Sequence, residues 1–361
     1  MRQLLAVLLV ASCLRPVGLA AKRAGHDVRG WDADGAHLAT AAERGAVDAA
    51  ASLREAVADA ELVVVAVPVA FLASSVEAAL EAAPQATVTD VGSTKATLAR
   101  AVDDSRFVGG HPVAGAEVRG PEGARADLFE SATWYLTPHA TTDTARYRDL
   151  HSFITSLGAY PVAIDPDAHD RLLALVSHLP HALANLLLNQ VGAAPIEGHD
   201  PLAAAGASFR EMTRVAGANP RIWVDIFLEN AREVRGALGE HRRRVEQLET
   251  ALERGDAGFL ARWIGEAATK RQQLLWDAFE EPGELFRVQA HVADRPGILA
   301  AIMQALGAER INIEDLELHH VSRERGGTLA VLIAGEDAAN RAAAVLSAQG
   351  YDVDVVPEIP S

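Results

Sequence analysis

The run Leu62-Val-Val-Val-Ala-Val67 is apolar without interruption, mostly β-branched, and closed by Pro68. A strand that offers no polar face to water belongs inside a parallel sheet covered by helices on both sides, where strands read as continuous apolar runs. Leu4 to Val10 has the same character, and Ala86-Thr-Val-Thr-Asp90 is a further strand that stops at Gly92-Ser93. The segments 38–59 and 69–83 carry helical spacing. Strands alternating with helices predict an α/β fold built on a doubly wound sheet, completed by Phe107 to Gly109, Thr133 to Leu136 and Tyr160 to Ile164. Ligands in such sheets sit beyond the carboxyl ends of the strands, which directs attention to Pro68, Asp90 to Lys95 and Gly109-Gly-His-Pro112.

The amino-terminal stretch has two readings. A basic start, an apolar run and small residues before Cys13 have the make-up of a short export leader. Read instead as the first strand, the stretch leads into a helix, Val17 to Gly25, a second strand, His26 to Trp31, and Asp32. Strand, helix, strand, acid opens a dinucleotide-binding fold, in which the acid accepts hydrogen bonds from the adenosine ribose and repels a 2′-phosphate, favouring NAD over NADP. The strand reading is preferred on that ground. The intervening turn, Ala11-Ser-Cys-Leu-Arg-Pro-Val-Gly18, has one glycine where G-x-G-x-x-G is expected, with Arg15 and Pro16 where small residues are needed. The pattern becomes regular at Gly18, so residues 3–17 are expected to come from a shifted reading frame. Translating the other two frames tests this, and a glycine-rich turn in neither would overturn it.

Past Asp165 strand formers thin out. Residues 167–188, 201–215, 220–238, 241–254 and 257–279 all have helical periodicity. Turn residues at Glu280-Glu-Pro-Gly-Glu284 then precede strands at 285–292, 311–318 and 328–333, helices at 297–309 and 337–349, and a last strand at 351–356. That βαββαβ order predicts a small ferredoxin-like domain. Three domains are expected: a Rossmann-like dinucleotide-binding domain over 1–164, an all-helical domain over 165–283 and the small domain over 284–361. With 33 Lys+Arg against 49 Asp+Glu the net charge is −16. A chain so acidic and without a basic block is a poor partner for nucleic acid, whose binding relies on neutralising phosphates. Outside the amino terminus no stretch reads as the ~18 apolar residues of a membrane helix, so no membrane partner is expected. One cysteine, Cys13, forms no internal disulfide and fits a cytoplasmic setting.

Several residues are placed for chemistry. His111 follows a strand end, with glycines that let a substrate approach, and an imidazole there can take a hydroxyl proton; a turn-closing histidine is the equal alternative. Ser93 lies at the neighbouring strand end and could bond substrate and nicotinamide, or simply cap a helix over 94–101. Ser177-His178-Leu-Pro-His181 presents two imidazoles on one helix face, but no third ligand is spaced to make a zinc site, so no metal is expected. Arg210 and Arg214 lie one turn apart. Either can clamp a carboxylate in two bonds or pair with Glu211 on the surface.

Taken in order, Asp32, Gly109-Gly-His-Pro-Val-Ala-Gly-Ala-Glu117, Ser177-His-Leu-Pro-His181 and Phe209-Arg-Glu-Met-Thr-Arg-Val-Ala-Gly-Ala-Asn-Pro-Arg-Ile-Trp223 closely resemble the prephenate dehydrogenase family, from Gly18 to about Phe279. The resemblance implies hydride transfer from the hydroxyl-bearing ring carbon of prephenate to NAD⁺, with loss of a carboxylate to give 4-hydroxyphenylpyruvate. It implies His111 as hydrogen-bond acceptor for that hydroxyl, Ser93 as its companion, Arg214 as carboxylate clamp, and His178 and His181 as pocket lining. Asp32, Gly18, Pro68 and Ser93 would serve the cofactor, and the enzyme would be a homodimer. Residues from Leu285 resemble an ACT domain, which implies Asp294, Gly297 and Asn312 as an effector site for L-tyrosine; a tight helix entry at Pro296-Gly297 is the plain alternative. Arogenate dehydrogenase is the nearest rival. A β-hydroxyacid dehydrogenase would need a catalytic lysine where only Lys270 is on offer, and a catalytically dead amino-acid sensor would follow from the broken glycine turn.

Overall fold

The computed structural model describes residues 4–9, 15–114, 125–193, 196–197, 199–276, 285–292, 297–322 and 326–357. Cys13, Gly115, Glu117, Asp294 and Pro296 lie outside them. The chain divides into two compact units, Met1–Arg243 and Arg244–Ser361, so the helices up to residue 243 pack as one body with the sheet that precedes them.

In the first unit, β1 (Leu4–Leu9), α1 (Arg15–Arg23), β2 (Asp27–Asp32), α2 (Gly35–Glu43), β3 (Asp48–Ala49), α3 (Leu53–Val57), β4 (Leu62–Ala66), α4 (Leu72–Ala82), β5 (Thr87–Asp90), α5 (Ala96–Ala101), β6 (Phe107–Val113), β7 (Thr133–Thr137), α6 (Thr144–Ser156) and β8 (Tyr160–Ala163) follow in order. They form one eight-stranded sheet in the order β3-β2-β1-β4-β5-β6-β7-β8. The stretch read two ways is a central strand, paired in parallel with β2 and β4. Its neighbour β4 is buried on both faces, as its composition demands: Val64 packs with Val17, Val28, Trp134 and Phe153, while Val63 and Val65 pack with Leu72, Val76 and Phe107 on the other side.

Two expectations need correction here. The helical reading of 38–59 is broken, because Gly45 at φ +72° stops α2 and Asp48–Ala49 pair with Arg29–Gly30 as an edge strand; alanine-rich composition favours helix locally, and the sheet edge overrides it. The strand expected to stop at Gly109 runs on to Val113, because β7 pairs with it antiparallel from Gly109↔Thr137 to Val113↔Thr133. His111 therefore stands in a strand. Its glycines are also explained differently: a Cβ at Gly110 would meet the Asp90 carbonyl oxygen at 2.6 Å, and one at Gly109 the Thr137 hydroxyl at 2.4 Å, so packing inside the sheet requires them. Gly18, within α1, is likewise 2.4 Å from the Ala46 carbonyl oxygen at the Cβ position. Backbone cannot yield as a side-chain tip can, so Gly18→Ala should cost about 1–3 kcal/mol, read as a lower urea midpoint with unchanged m.

The helices that follow are α7 (Pro166–Leu173), a π-helical turn Ala174–His178, α8 (Leu179–Gly192), α9 (Ala207–Thr213), a 3-10 turn Arg214–Gly217, α10 (Pro220–Glu229) and α11 (Ala231–Arg254). The break expected near residue 240 falls instead at Asn230, while Gly236 and Gly239 are carried inside α11. Pro166–Gly192 contains a window of mean hydropathy 1.3 and is long enough to cross a membrane, contrary to the expectation of no such stretch. Its buried polar residues His169, Asp170 and His178 are all hydrogen-bonded within the protein.

The second unit contains α12 (Ala257–Trp276), β9 (Leu285–Val292), α13 (Ile298–Ala308), β10 (Asp315–Ser322), β11 (Gly326–Ala334), α14 (Glu336–Ala348) and β12 (Val353–Pro357). The sheet runs β10-β11-β9-β12, antiparallel throughout, over a core that includes Val288, Ile302, Leu306, Val331 and Leu346. The strand expected from 311 starts at 315. Arg310 adopts φ +55°, Arg310 N–H bonds Gly307 O, and Ile311 N–H bonds Leu306 O, so Ile311 closes the end of α13 before the strand begins.

Candidate active site

The carboxyl edge of the large sheet brings together Asp32 at the end of β2, Pro68 after β4, the β5–α5 loop with Ser93, and His111 near the end of β6. Helix α7, the π-helical turn and α10 supply the rest. Helix α10 packs on the turn Val69–Phe71 that follows Pro68, so helices and sheet edge form one site.

His111 is 8 % exposed. Its Nδ1 lies 2.9 Å from Nε2 of fully buried His169, whose Nδ1 lies 2.8 Å from Oδ1 of Asp170. The same carboxylate accepts the backbone N–H of Lys95 at 2.8 Å and of Ala96 at 2.9 Å. It thereby caps α5 from 75 residues away. The cap expected from Ser93 is not made: α5 starts at Ala96, and Ser93 sits half-buried in the loop before it. Within that loop Lys95 is buried in an ion pair with Asp90, whose carboxylate also accepts Gly92 N–H at 2.8 Å and Gly110 N–H at 3.0 Å. The residue next to His111 is thus tied to the loop that carries Ser93.

The π-helical turn gives His178 its place. Along an unbroken α-helix Asp170 and His178 would point about 80° apart, and the wider turn takes up roughly one residue and brings them into line. Asn230 joins them, its Nδ2 donating to the Asp170 carbonyl at 2.8 Å and to His178 Nδ1 at 3.1 Å. A carbonyl only accepts, which fixes the amide orientation and makes His178 Nδ1 an acceptor. His181 is the reverse case: its Nδ1 faces the Ser177 carbonyl at 3.1 Å and must carry the proton. Trp223 on α10 stacks on His181 with ring centres 3.5 Å apart and meets His178 edge-on at 5.9 Å.

All three imidazoles are held neutral. Burial, with the nearby His169, Lys95 and His178, keeps His111 well below its usual range. Burial also takes His178 to about 4, and lowers His181 against the opposing bond to Ser177. A neutral His111 at working pH is a base ready to accept.

The other expected site residues fall as follows. Arg214 is exposed where α9 meets the 3-10 turn, which packs against α8. Asp32 is buried, with Oδ1 accepting Asp34 N–H at 2.8 Å, while Oδ2 has no hydrogen-bond partner among the described residues. Burial raises its pKa. That oxygen, 3.8 Å from His37 Nδ1 and without a hydrogen bond among the described residues, fits a ribose hydroxyl that would donate to it. In the second unit Gly297 precedes α13 at φ +88°, the tight helix entry given as the plain alternative, and exposed Asn312 donates to Glu314 at 2.7 Å. The sequence alone assigns no role to His169, Asp170 or Asn230, and places Lys95 only within the Asp90–Lys95 loop; the adjacent His169-Asp170 pair is the signal the sequence offers.

A doubly wound sheet, an acid with a spare oxygen after the second strand and a neutral imidazole at the ligand edge define a nucleotide-dependent dehydrogenase. The family model "Prephenate dehydrogenase, nucleotide-binding domain" matches residues 17–162, and "Prephenate dehydrogenase, dimerization domain" matches 165–266. Prephenate dehydrogenase of Bacillus subtilis is 31% identical over 269 residues, covering 73% of this chain and 72% of the relative. The crystal structure of A. aeolicus prephenate dehydrogenase in complex with hydroxyphenyl propionate and NAD⁺ superimposes with a TM-score of 0.70 at 27% identity, covering 76% of this chain and 98% of that one. Synechocystis arogenate dehydrogenase gives 0.66 at 27%, covering 75% and 99%. The chain belongs to the prephenate dehydrogenase family.

Proposed function

We propose that the protein oxidises prephenate with NAD⁺, releasing carbon dioxide and 4-hydroxyphenylpyruvate. The observation that carries this reading is the hydrogen-bonded order Asp170–His169–His111, which leaves His111 Nε2 as the lone pair at the ligand edge of the sheet. NAD⁺, when bound, accepts hydride from the ring carbon that bears the hydroxyl, and Asp32 Oδ2 is the group that would hold its ribose. As hydride departs that carbon gains positive character, and His111 relieves it by taking the hydroxyl proton. Loss of carbon dioxide leaves its electron pair in the ring, which becomes aromatic, and the phenolate oxygen recovers the proton from His111. Aromatisation drives the reaction, so the residues mainly orient the reactants. Arg214 supplies a fixed cation for a substrate carboxylate in a protein of net charge −16.

Arogenate is the second reading, supported by the likeness to the Synechocystis enzyme. It differs from prephenate only in an amino group in place of the side-chain keto group. Assaying NADH formation from each at 340 nm decides it: turnover of prephenate at least tenfold above arogenate is expected, and the reverse ratio overturns the substrate assignment. Arg214→Gln should raise KM for the accepted substrate about tenfold or more and leave kcat within a few-fold, which steady-state kinetics check.

The match to a dimerization domain, with Val176, Leu186, Val224 and Leu228 exposed on its helices, supports a homodimer. The βαββαβ order of the second unit supports an ACT-type domain with Gly297 and Asn312 near an L-tyrosine site. Calorimetric titration of the full chain with tyrosine tests that part.

A further inference from the structure

We propose that His169 is a positioning residue that holds His111 in the accepting tautomer and shares the positive charge His111 acquires during the reaction. The proposal rests on His111 being the hydroxyl acceptor. Its starting point is that every bond in the chain has a forced direction. Asp170 as carboxylate only accepts, so Nδ1 of His169 carries a proton; in the neutral ring Nε2 then has the lone pair, and His111 Nδ1 must donate to it at 2.9 Å. Only then is His111 Nε2 free to accept from a substrate. The opposite tautomer of His111 would set two lone pairs against each other and turn an N–H toward the hydroxyl.

The anchor of the chain cannot rotate. Asp170 is held by two backbone N–H groups at the start of α5 as well as by His169, and these three bonds bring its pKa below the usual value despite the opposing effect of burial. Around the His111–His169 pair stand Tyr135 from β7, its ring edge-on to His169 at 5.6 Å, Asp170 from the same helix as His169, Lys95 from the β5–α5 loop, which acts on His111, and His178 from the π-helical turn, which interacts with both rings. Lys95 is engaged by Asp90, and His178 by Asn230, so Asp170 is the anion in contact with the relay. A proton passed on from His111 therefore arrives on a ring that is hydrogen-bonded to a carboxylate.

The proton balance is closed. The substrate O–H bond breaks and its proton joins His111 Nε2, while the proton on His111 Nδ1 passes to His169 Nε2; His169 then carries both ring protons beside the Asp170 carboxylate. When the phenolate forms, the two transfers run backward. No proton leaves the site, and the only oxidant is the NAD⁺ of the proposed reaction.

The test compares full-length His169→Gln, His169→Phe and His111→Asn with wild type by kcat, KM, thermal midpoint and the pH profile of kcat. Gln offers a carbonyl oxygen that accepts from His111 Nδ1 but takes up no proton; Phe offers neither. The expected result is a roughly 100-fold or larger fall in kcat for Phe, recovery of about tenfold with Gln, KM within about threefold in both, and a displaced acid limb of kcat in the Gln variant. A purely structural role predicts equal losses in the two variants, tracking their thermal midpoints, with the acid limb unmoved, and that result overturns the proposal. If Phe does not fold, the Gln pH profile decides alone. Full activity in His111→Asn sinks the underlying reading, whereas a dead His111→Asn beside fully active His169 variants sinks only the role given to His169.

Discussion

Replacing His111 with Asn should lower kcat by roughly 10²–10⁴ while KM stays within a few-fold. The side chain stands in β6 opposite Tyr135, buried, with one ring nitrogen committed to His169. Asparagine keeps the size and polarity of the site, so the substrate still binds, but an amide has no basic lone pair with which to take a proton. The pH dependence carries a second sign. Burial and neighbouring His169, Lys95 and His178 place the wild-type His111 pKa well below its ordinary 6.5, so kcat/KM should be level through neutrality and decline only well on the acid side. Steady-state kinetics over pH check both statements; a twofold effect on kcat, or a wild-type activity that falls already as pH drops through 7, would contradict the assignment.

Asp170→Ala should be the most damaging single change to the fold among the site residues, and should remove activity with it. One carboxylate satisfies three buried donors, Lys95 N–H, Ala96 N–H and His169 Nδ1–H. Each donor left unpaired costs about 1–3 kcal/mol, so the loss is about 3 kcal/mol or more, read as a lower denaturant midpoint. Its folded-state pKa is depressed, so its contribution is full above the unfolded value of 3.8 and is lost as pH falls through the lower folded value. The histidines act earlier on the same descent. His178 titrates at 6.5 unfolded and about 4 folded, so between those values the unfolded chain binds more protons and stability falls as pH falls. Chemical denaturation at pH 7 and pH 5 should show the wild type less stable at pH 5.

The elements legible in advance share one property: their signal lies within a few residues. Leu62 to Val67 reads as a doubly buried strand because its composition leaves no polar face, and it is one. Asp32 is recognisable because the helix and strand before it are short and regular. The misplacements share another property. The sequence places His111 beyond a strand end at Gly109, because the strand that extends β6 to Val113 lies twenty residues downstream and no local pattern encodes that pairing. Asn230 reads as a residue within a helix, yet it ends α10 so that its amide can reach Asp170 and His178.

By itself the sequence determined a doubly wound sheet with a ligand edge, an acid at the end of its second strand, an imidazole at that edge, and a second sheet of βαββαβ order. Tertiary structure alone decided the surroundings of that imidazole, a carboxylate from α7 that caps α5 and a second histidine between the two; it also placed His178, through a π-helical turn, against an amide that fixes the tautomer of the His178 ring. The division has a physical cause. Local periodicity records which face of an element is apolar, whereas the direction of a buried hydrogen bond depends on what distant parts of the chain place opposite it.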